Sequence, residues 1–233
     1  MERLSDAHHF RKMVAGVCMM AAPLLLLVGV VLHPEAKDDA AEQIAVIAAN
    51  QDQWLAAHLI ILAAIVLFVP AVLGLMHMLR EREVAFGHVG GGLALLGLLA
   101  VTGVIAIELV AWQMAQSGDL AAMASVYDDV MNGAATMVPF YLLPICSVLG
   151  LMALALGLYR AHAVASWMAV SIAAGALLWG IGFAAASLPI AIVAAAFLLV
   201  GLGSLGRIVY MESDADWEHT PEHPGFRPLP GLR

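Results

Sequence analysis

The chain has 233 residues, of which 63% are hydrophobic and only 12% are charged, and its formal net charge is −8. A soluble globular protein carries about 45–50% apolar and about 25% charged residues, so this excess of apolar residues cannot be hidden in one core surrounded by water. The composition therefore indicates an integral membrane protein and argues against a disordered chain or a nucleic-acid-binding protein.

Six long apolar segments follow one another along the chain. Each is close to or longer than the ~20 residues that a helix needs to cross the hydrocarbon, and the runs are continuous rather than alternating, which excludes a membrane β-barrel. We therefore predict an all-α bundle of six membrane-spanning helices within one domain, residues 1–210. The predicted helices occupy residues 13–32, 54–79, 89–113, 137–159, 164–185 and 188–209.

The basic residues predict the orientation. With both termini in the cytoplasm, nine of the ten lysines and arginines fall on the cytoplasmic side, and only Lys37 lies outside. This distribution agrees with the positive-inside rule. The polar, proline-containing tail, residues 211–233, is then cytoplasmic, and its composition predicts disorder.

Two outer connections, residues 35–52 and 119–132, are long enough to hold short helices of their own. We predict that both form amphipathic helices, which either cover the bundle or rest in the lipid interface. The apolar positions of the second connection recur at a helical spacing: Leu120, Met123, Tyr127 and Val130.

The outer side carries nine acidic residues against one basic residue, so the whole net charge of −8 lies there. An acidic face attracts cations and cationic partners. A simpler explanation needs no ligand, because acidic residues contribute little to membrane topology and are free to accumulate in outer loops.

Three titratable side chains reach the same depth, at the outer edge of the hydrocarbon. Counted at ~1.5 Å per residue from the cytoplasmic boundary, His33, His58 and Glu108 each lie about 30 Å across the membrane. Glu108 has apolar neighbours on both sides, and an ionisable residue in such a position usually faces the bundle and has a partner. We predict Glu108 and His58 as a binding pair. The second choices are His33, Asp52, Asp128 and Asp129.

A hydrogen bond that only fixes helix packing would explain the same residues, and two histidines with a carboxylate also suit Zn²⁺ or another transition metal. The histidines that haem would need lie at helix ends, near the outer boundary for His33 and His58 and near the cytoplasmic one for His77, His88 and His162. We predict no cofactor, and metal or haem binding stays open.

One part of the chain resembles uncharacterised multi-pass membrane proteins of bacteria. The resemblance covers helices 2 and 3, with a similar character through helix 4, and it implies a bacterial inner-membrane protein without implying any activity. It is carried by the stretches VPAVLGLMHMLRERE, AFGHVGGGLALLGLL and IELVAWQM.

These features are compatible with three alternative functions. The first is a non-enzymatic protein that binds or conducts a small, cationic ligand from the acidic outer face. The second is a structural or accessory subunit that packs against a membrane-protein partner or a second copy. The third is a metal-dependent membrane enzyme at the outer face. A polar cavity that reaches Glu108 would favour the first, and a filled bundle would favour the second.

Overall fold

The computed structural model describes residues 7–219, and the regular structure within that range is helical throughout. The helices are α1 (Ala7–Leu32), α2 (Ala40–Ala49), α3 (Gln51–Met78), α4 (Gly91–Met114), α5 (Leu120–Asn132), α6 (Ala134–Thr136), α7 (Leu143–Arg160), α8 (Ser166–Ala184), α9 (Leu188–Met211) and α10 (Asp214–Trp217).

The predicted all-α bundle with six membrane-spanning helices is confirmed. Six segments are long and apolar enough to cross a membrane, which indicates a multi-pass integral membrane protein. Four of them are α1, α3, α8 and α9. The other two each join several elements: Phe86–Met114 contains a π-helical turn before α4, and Ala134–Arg160 runs from α6 through a second π-helical stretch into α7.

The six spans form a closed ring. Helix α1 packs against α3 and α9, α9 packs against α8, and α8 packs against α7; α4 then closes the ring between α7 and α3. The main hydrophobic core lies inside this ring and takes buried residues from all six spans, among them Met19, Leu75, Leu154, Ile172 and Leu202. The apolar faces that turn away from the ring are exposed, as expected for helices that meet lipid.

The contact between α4 and α7 is close enough to exclude side chains at two positions. A Cβ atom added at Gly97 would lie 2.0 Å from the backbone nitrogen of Ser147, and one added at Gly150 would lie 2.2 Å from the backbone nitrogen of Ala94. The two helices therefore meet backbone to backbone, which is the way small residues bring membrane helices together.

Alternate spans run in opposite directions, which gives the bundle two different ends. We call the end that holds α2 and α5 the acidic end. The opposite end, which holds residues 79–85, 161–165 and 212–219, we call the basic end.

Helices α2 and α5 confirm the two predicted amphipathic helices, and together they form a lid over the acidic end. The side chains of Asp39 and Asp119 begin them by accepting hydrogen bonds from backbone N–H groups of the first turn. The lid helices pack on each other and on the ends of α3 and α4. Their apolar faces enclose a second, smaller core: Ile44, Ile47, Trp54, Ala111, Ala115, Ala124 and Tyr127.

The first part of the tail is ordered, whereas its composition predicts disorder. Residues 212–219, here called the strap, fold back onto the basic end and include α10. The side chain of Trp217 is buried there, and its ring stacks on His77 with ring centroids 4.4 Å apart. A polar composition did not exclude this order, because one buried indole fixes a segment whose other residues are polar. Residues 220–233 of the predicted tail lie outside the described residues.

Candidate functional site

Two of the predicted site residues, His33 and His58, meet at the acidic end beside a tryptophan. The rings of His33 and His58 have centroids 4.9 Å apart, and the ring of Trp54 lies 4.7 Å from the first and 4.5 Å from the second. His58 and Trp54 are buried, with 4% and 1% of their surfaces exposed. His33 and His58, for which the sequence predicts an equal depth, thus lie in one cluster.

Both histidines are held by backbone carbonyl groups. The Nδ1 atom of His58 donates to the Trp54 carbonyl oxygen at 2.9 Å, and the Nδ1 atom of His33 donates to the Pro34 carbonyl oxygen at 2.5 Å. Burial lowers the pKa of His33, and the hydrogen bond to Pro34 opposes this effect. In the neutral rings the Nε2 atoms therefore carry the lone pairs.

Glu108 is joined to the same tryptophan through its backbone. The indole N–H of Trp54 donates to the backbone carbonyl oxygen of Glu108 at 3.2 Å. The Glu108 side chain faces the lid instead, where it interacts with the hydroxyl of Tyr127 on α5. Among the described residues, His58 is hydrogen-bonded to the Trp54 carbonyl oxygen, and no hydrogen bond joins it to Glu108.

One carboxylate oxygen of Glu108 has no partner. Its Oε2 atom is inaccessible to solvent and has no hydrogen bond to any described residue. A buried polar atom without a partner is costly, and such atoms in folded proteins are few.

Tyr127 is the residue that sequence reasoning missed as a site residue. Burial raises the pKa of its hydroxyl, and the charge of Glu108 raises it further, so the phenol remains a hydrogen-bond donor. The helical spacing of Leu120, Met123, Tyr127 and Val130 placed it on the apolar face of α5. A tyrosine on such a face was the available signal, because a buried tyrosine hydroxyl usually finds a polar partner.

The remaining predicted acidic residues are solvated. Asp52, Asp128 and Asp129 are exposed, and the carboxylate of Asp128 accepts a hydrogen bond from Asn132 at 2.8 Å. Five further acidic residues of this end are also exposed: Glu35, Asp38, Asp39, Glu42 and Asp119. They surround the lid with negative charge without touching the Glu108 carboxylate.

The arrangement of the described histidine, cysteine and acidic side chains bears on the metal and haem alternatives. Within residues 7–219, no group of three or more histidine, cysteine, aspartate or glutamate side chains is placed to hold a metal ion. At the basic end, His77 donates from Nε2 to the Trp217 carbonyl oxygen at 3.1 Å, and the Nδ1 atom of His88 donates to the Val84 carbonyl oxygen at 3.0 Å.

The centre of the ring contains a small apolar cavity of about 30 Å³. Its only hydroxyl group belongs to Ser147, which donates to the Pro144 carbonyl oxygen at 2.6 Å. The cavity does not include Glu108. It is lined by Leu26, Ile65, Phe68, Leu98, Val101, Ser147, Val148, Leu151, Ala176, Trp179 and Leu198.

Comparison of the chain with protein-family models, with curated proteins and with solved structures finds no match.

Replacing Tyr127 tests the link between the lid and Glu108. The change Tyr127→Phe removes the hydroxyl that interacts with Glu108, so we expect the lid to lose about 1–3 kcal/mol of stability. Hydrogen–deuterium exchange of the α5 amides should be faster by a corresponding factor. Tyr210→Phe is the control, because Tyr210 is 45% exposed at the basic end. Equal exchange of α5 in the two variants would show that the hydroxyl does not hold the lid.

Proposed function

We propose that the protein binds a small monovalent cation at the Glu108 carboxylate, beneath the lid of the acidic end. The observation that carries this proposal is the buried Oε2 atom of Glu108, which has no partner among the described residues. An ionised carboxylate at the edge of the hydrocarbon needs a countercharge, and none of the described lysines or arginines pairs with it.

The atoms around this carboxylate favour a hard cation. Its two oxygens and the Tyr127 hydroxyl are oxygen ligands, which suit alkali and alkaline-earth cations better than soft transition metals. One carboxylate balances one positive charge, so a monovalent ion such as Na⁺ leaves the buried site neutral. A neutral pair avoids the cost of an uncompensated charge in an apolar environment.

The surroundings support binding from the acidic side. The eight exposed acidic residues around the lid raise the local concentration of cations. Conduction through the ring is not part of the proposal, because the central cavity is small and apolar. Entry to Glu108 instead requires movement of the lid, whose α5 carries Tyr127.

We further propose that the acidic end faces outward, that both termini are cytoplasmic and that the membrane is the bacterial inner membrane. The basic residues support this orientation: Lys12, Arg80, Arg82 and Arg160 all lie at the basic end, where the positive-inside rule expects them. The resemblance of the second to fourth membrane spans to uncharacterised membrane proteins of bacteria supports the location.

The proposal is tested by cation-dependent thermal unfolding of the protein in nanodiscs. N-methylglucamine chloride is replaced stepwise by NaCl or KCl at constant ionic strength and pH. A cation at 100 times its Kd stabilises the folded state by about 2.7 kcal/mol, so the unfolding temperature of the wild type should rise by about 5–10 °C. In Glu108→Gln the rise should disappear, because the amide is neutral and does not pair with the ion.

Asp129→Asn is the matched control, since Asp129 is an exposed acid on the same lid. It should respond to Na⁺ or K⁺ as the wild type does. An equal response in wild type and Glu108→Gln would contradict the proposal. Stabilisation by lower pH alone, without any response to Na⁺ or K⁺, would also contradict it, because the carboxyl group would then bind a proton and not a metal cation.

A further inference from the structure

The cluster of His33, Trp54 and His58 brings two imidazole rings together outside the proposed cation site. The Glu108 side chain interacts with Tyr127, whereas the rings of the two histidines lie against each other, with centroids 4.9 Å apart. His33 directly follows α1, and His58 lies near the start of α3. The packing of α1 on α3 therefore holds the two rings side by side.

Both histidines are oriented through the same ring atom, Nδ1. A carbonyl oxygen only accepts hydrogen bonds, so the contacts of Nδ1 with the Trp54 and Pro34 carbonyl oxygens leave the lone pair of each neutral ring on Nε2. Within residues 7–219, neither Nε2 atom takes part in a hydrogen bond. Histidines that bind metal ions are oriented in this way, by a hydrogen bond from the ring nitrogen that does not bind the ion.

The two imidazoles suit an ion that needs few ligands and carries a single positive charge. Among the described residues, no third histidine, cysteine, aspartate or glutamate joins them in a metal-binding group. Zn²⁺ usually takes three or four protein ligands, and two neutral imidazoles would leave its double charge uncompensated in a buried place. Cu⁺ is stable with two or three ligands, carries half that charge and is bound by imidazole nitrogen.

Trp54 adds an aromatic ring that favours a cation at this place. Its ring centroid lies 4.7 Å from that of His33 and 4.5 Å from that of His58. An ion bound to both imidazoles is therefore within about 6 Å of the indole centroid, the range over which tryptophan attracts cations. The hydrogen bond from the indole N–H to the Glu108 carbonyl oxygen fixes the ring in this position.

We propose that His33 and His58 form a binding site for Cu⁺ at the acidic end, with the Nε2 atom of each ring as a ligand and Trp54 as its aromatic neighbour. The exposed acidic residues of this end attract cations toward it. The site differs from the proposed Na⁺ site, because its ligands are nitrogen atoms and those at Glu108 are hard oxygen atoms. Either site can therefore fail its test without affecting the other.

Competition with a coloured chelator measures this site in the full chain. The protein in nanodiscs is titrated without oxygen into the Cu⁺ complex of bicinchoninate, whose absorbance falls as the protein removes the ion. The wild type should remove about one Cu⁺ per chain. His33→Ala should weaken binding by at least about tenfold, since even the loss of a group that only orients a ligand costs about 10–100-fold. His33 is half-buried and lies beyond the end of α1, so its truncation should leave the spans folded.

His88→Ala is the matched control. His88 is exposed, and its Nδ1 atom donates to the carbonyl oxygen of the residue four positions earlier, as that of His58 does. It should bind Cu⁺ as the wild type does. Cys18 and Cys146 are present in every variant, so a difference between variants reports on the imidazoles. Equal removal of Cu⁺ by the wild type and His33→Ala, or none by the wild type, would overturn the proposal.

A measurement on the wild type alone identifies the ligands without any substitution. Ag⁺ replaces Cu⁺ as a probe that air does not oxidise, and ¹⁵N NMR follows the protein labelled at its histidines. The Nε2 resonances of His33 and His58 should shift as Ag⁺ is added, and those of His88 should not. The same concentration of Zn²⁺ should leave all three unchanged. Unshifted His33 and His58 resonances, or an equal response to Zn²⁺, would contradict a site for Cu⁺.

Discussion

Gly97→Val is expected to prevent the bundle from folding stably, whereas Gly103→Val on the same helix should be tolerated. A Cβ at Gly97 would lie 2.0 Å from the backbone nitrogen and 2.6 Å from the Cα of Ser147, so no side-chain rearrangement relieves the clash. Helices α4 and α7 would have to separate. Overpacking in a core usually costs about 1–3 kcal/mol, and a clash with backbone belongs at or above the upper end.

Gly103 provides the matched control, because nothing lies within 4 Å of a Cβ added there. Both variants carry the same change in the same membrane span. Yield of monodisperse protein and the unfolding temperature in nanodiscs measure the effect. Equal yields and equal unfolding temperatures for Gly97→Val and Gly103→Val would contradict the close contact between α4 and α7.

Trp54→Ala is expected to destabilise the acidic end by about 3–5 kcal/mol, the usual cost of truncating a buried tryptophan. Trp54 is 1% exposed, packs against the rings of both His33 and His58, and donates its indole N–H to the Glu108 carbonyl oxygen. Its loss should also free the lid, because the second core is built on its ring. Trp54→Phe keeps most of the apolar contact and should cost less.

Trp167→Ala is the control for this prediction, since Trp167 is 48% exposed in the first turn of α8. Chemical or thermal unfolding gives the stability of each variant, and hydrogen exchange of α2 and α5 reports on the lid. Equal losses for the two tryptophans would mean that the Trp54 cluster does not support the acidic end.

The membrane architecture could be predicted from the sequence because its signals are local. A continuous apolar run of about 20 residues has few alternatives to a membrane helix. The lid helices were recognisable for the same reason, as the periodic apolar residues of α5 lie within one short stretch. The ring order of the six spans is not a local property, and nothing in the sequence showed that α4 lies between α3 and α7.

The depth of these side chains in the membrane was also predictable, but the rotation of each helix about its own axis was not. The fixed rise of a helix places His33, His58 and Glu108 at one level. Which of them meet depends on the direction in which each helix turns its side chains, and this is set by packing. Helices α1 and α3 bring the two histidines together, while α4 directs Glu108 to Tyr127 of the lid. The role of these residues in binding a ligand stays a prediction.

The strap shows where composition misleads. Averaged over residues 211–233, the tail is polar and contains four prolines, which is typical of a disordered segment. Its order comes instead from single partners: Trp217 with His77, and Asp214 with Lys12, about 140 and 200 residues apart in the chain. Complementary groups at such distances become neighbours only through the fold, so the sequence alone could not pair them.

The central claim is that Glu108 holds a monovalent cation, and equilibrium binding of ²²Na⁺ to the purified protein in nanodiscs tests it most directly. The wild type and Asp129→Asn should each bind about one Na⁺ per chain in a saturable manner, in competition with unlabelled Na⁺. Glu108→Gln should bind none above the background of empty nanodiscs. Saturable binding of equal stoichiometry in Glu108→Gln, or none in the wild type, would contradict the assignment.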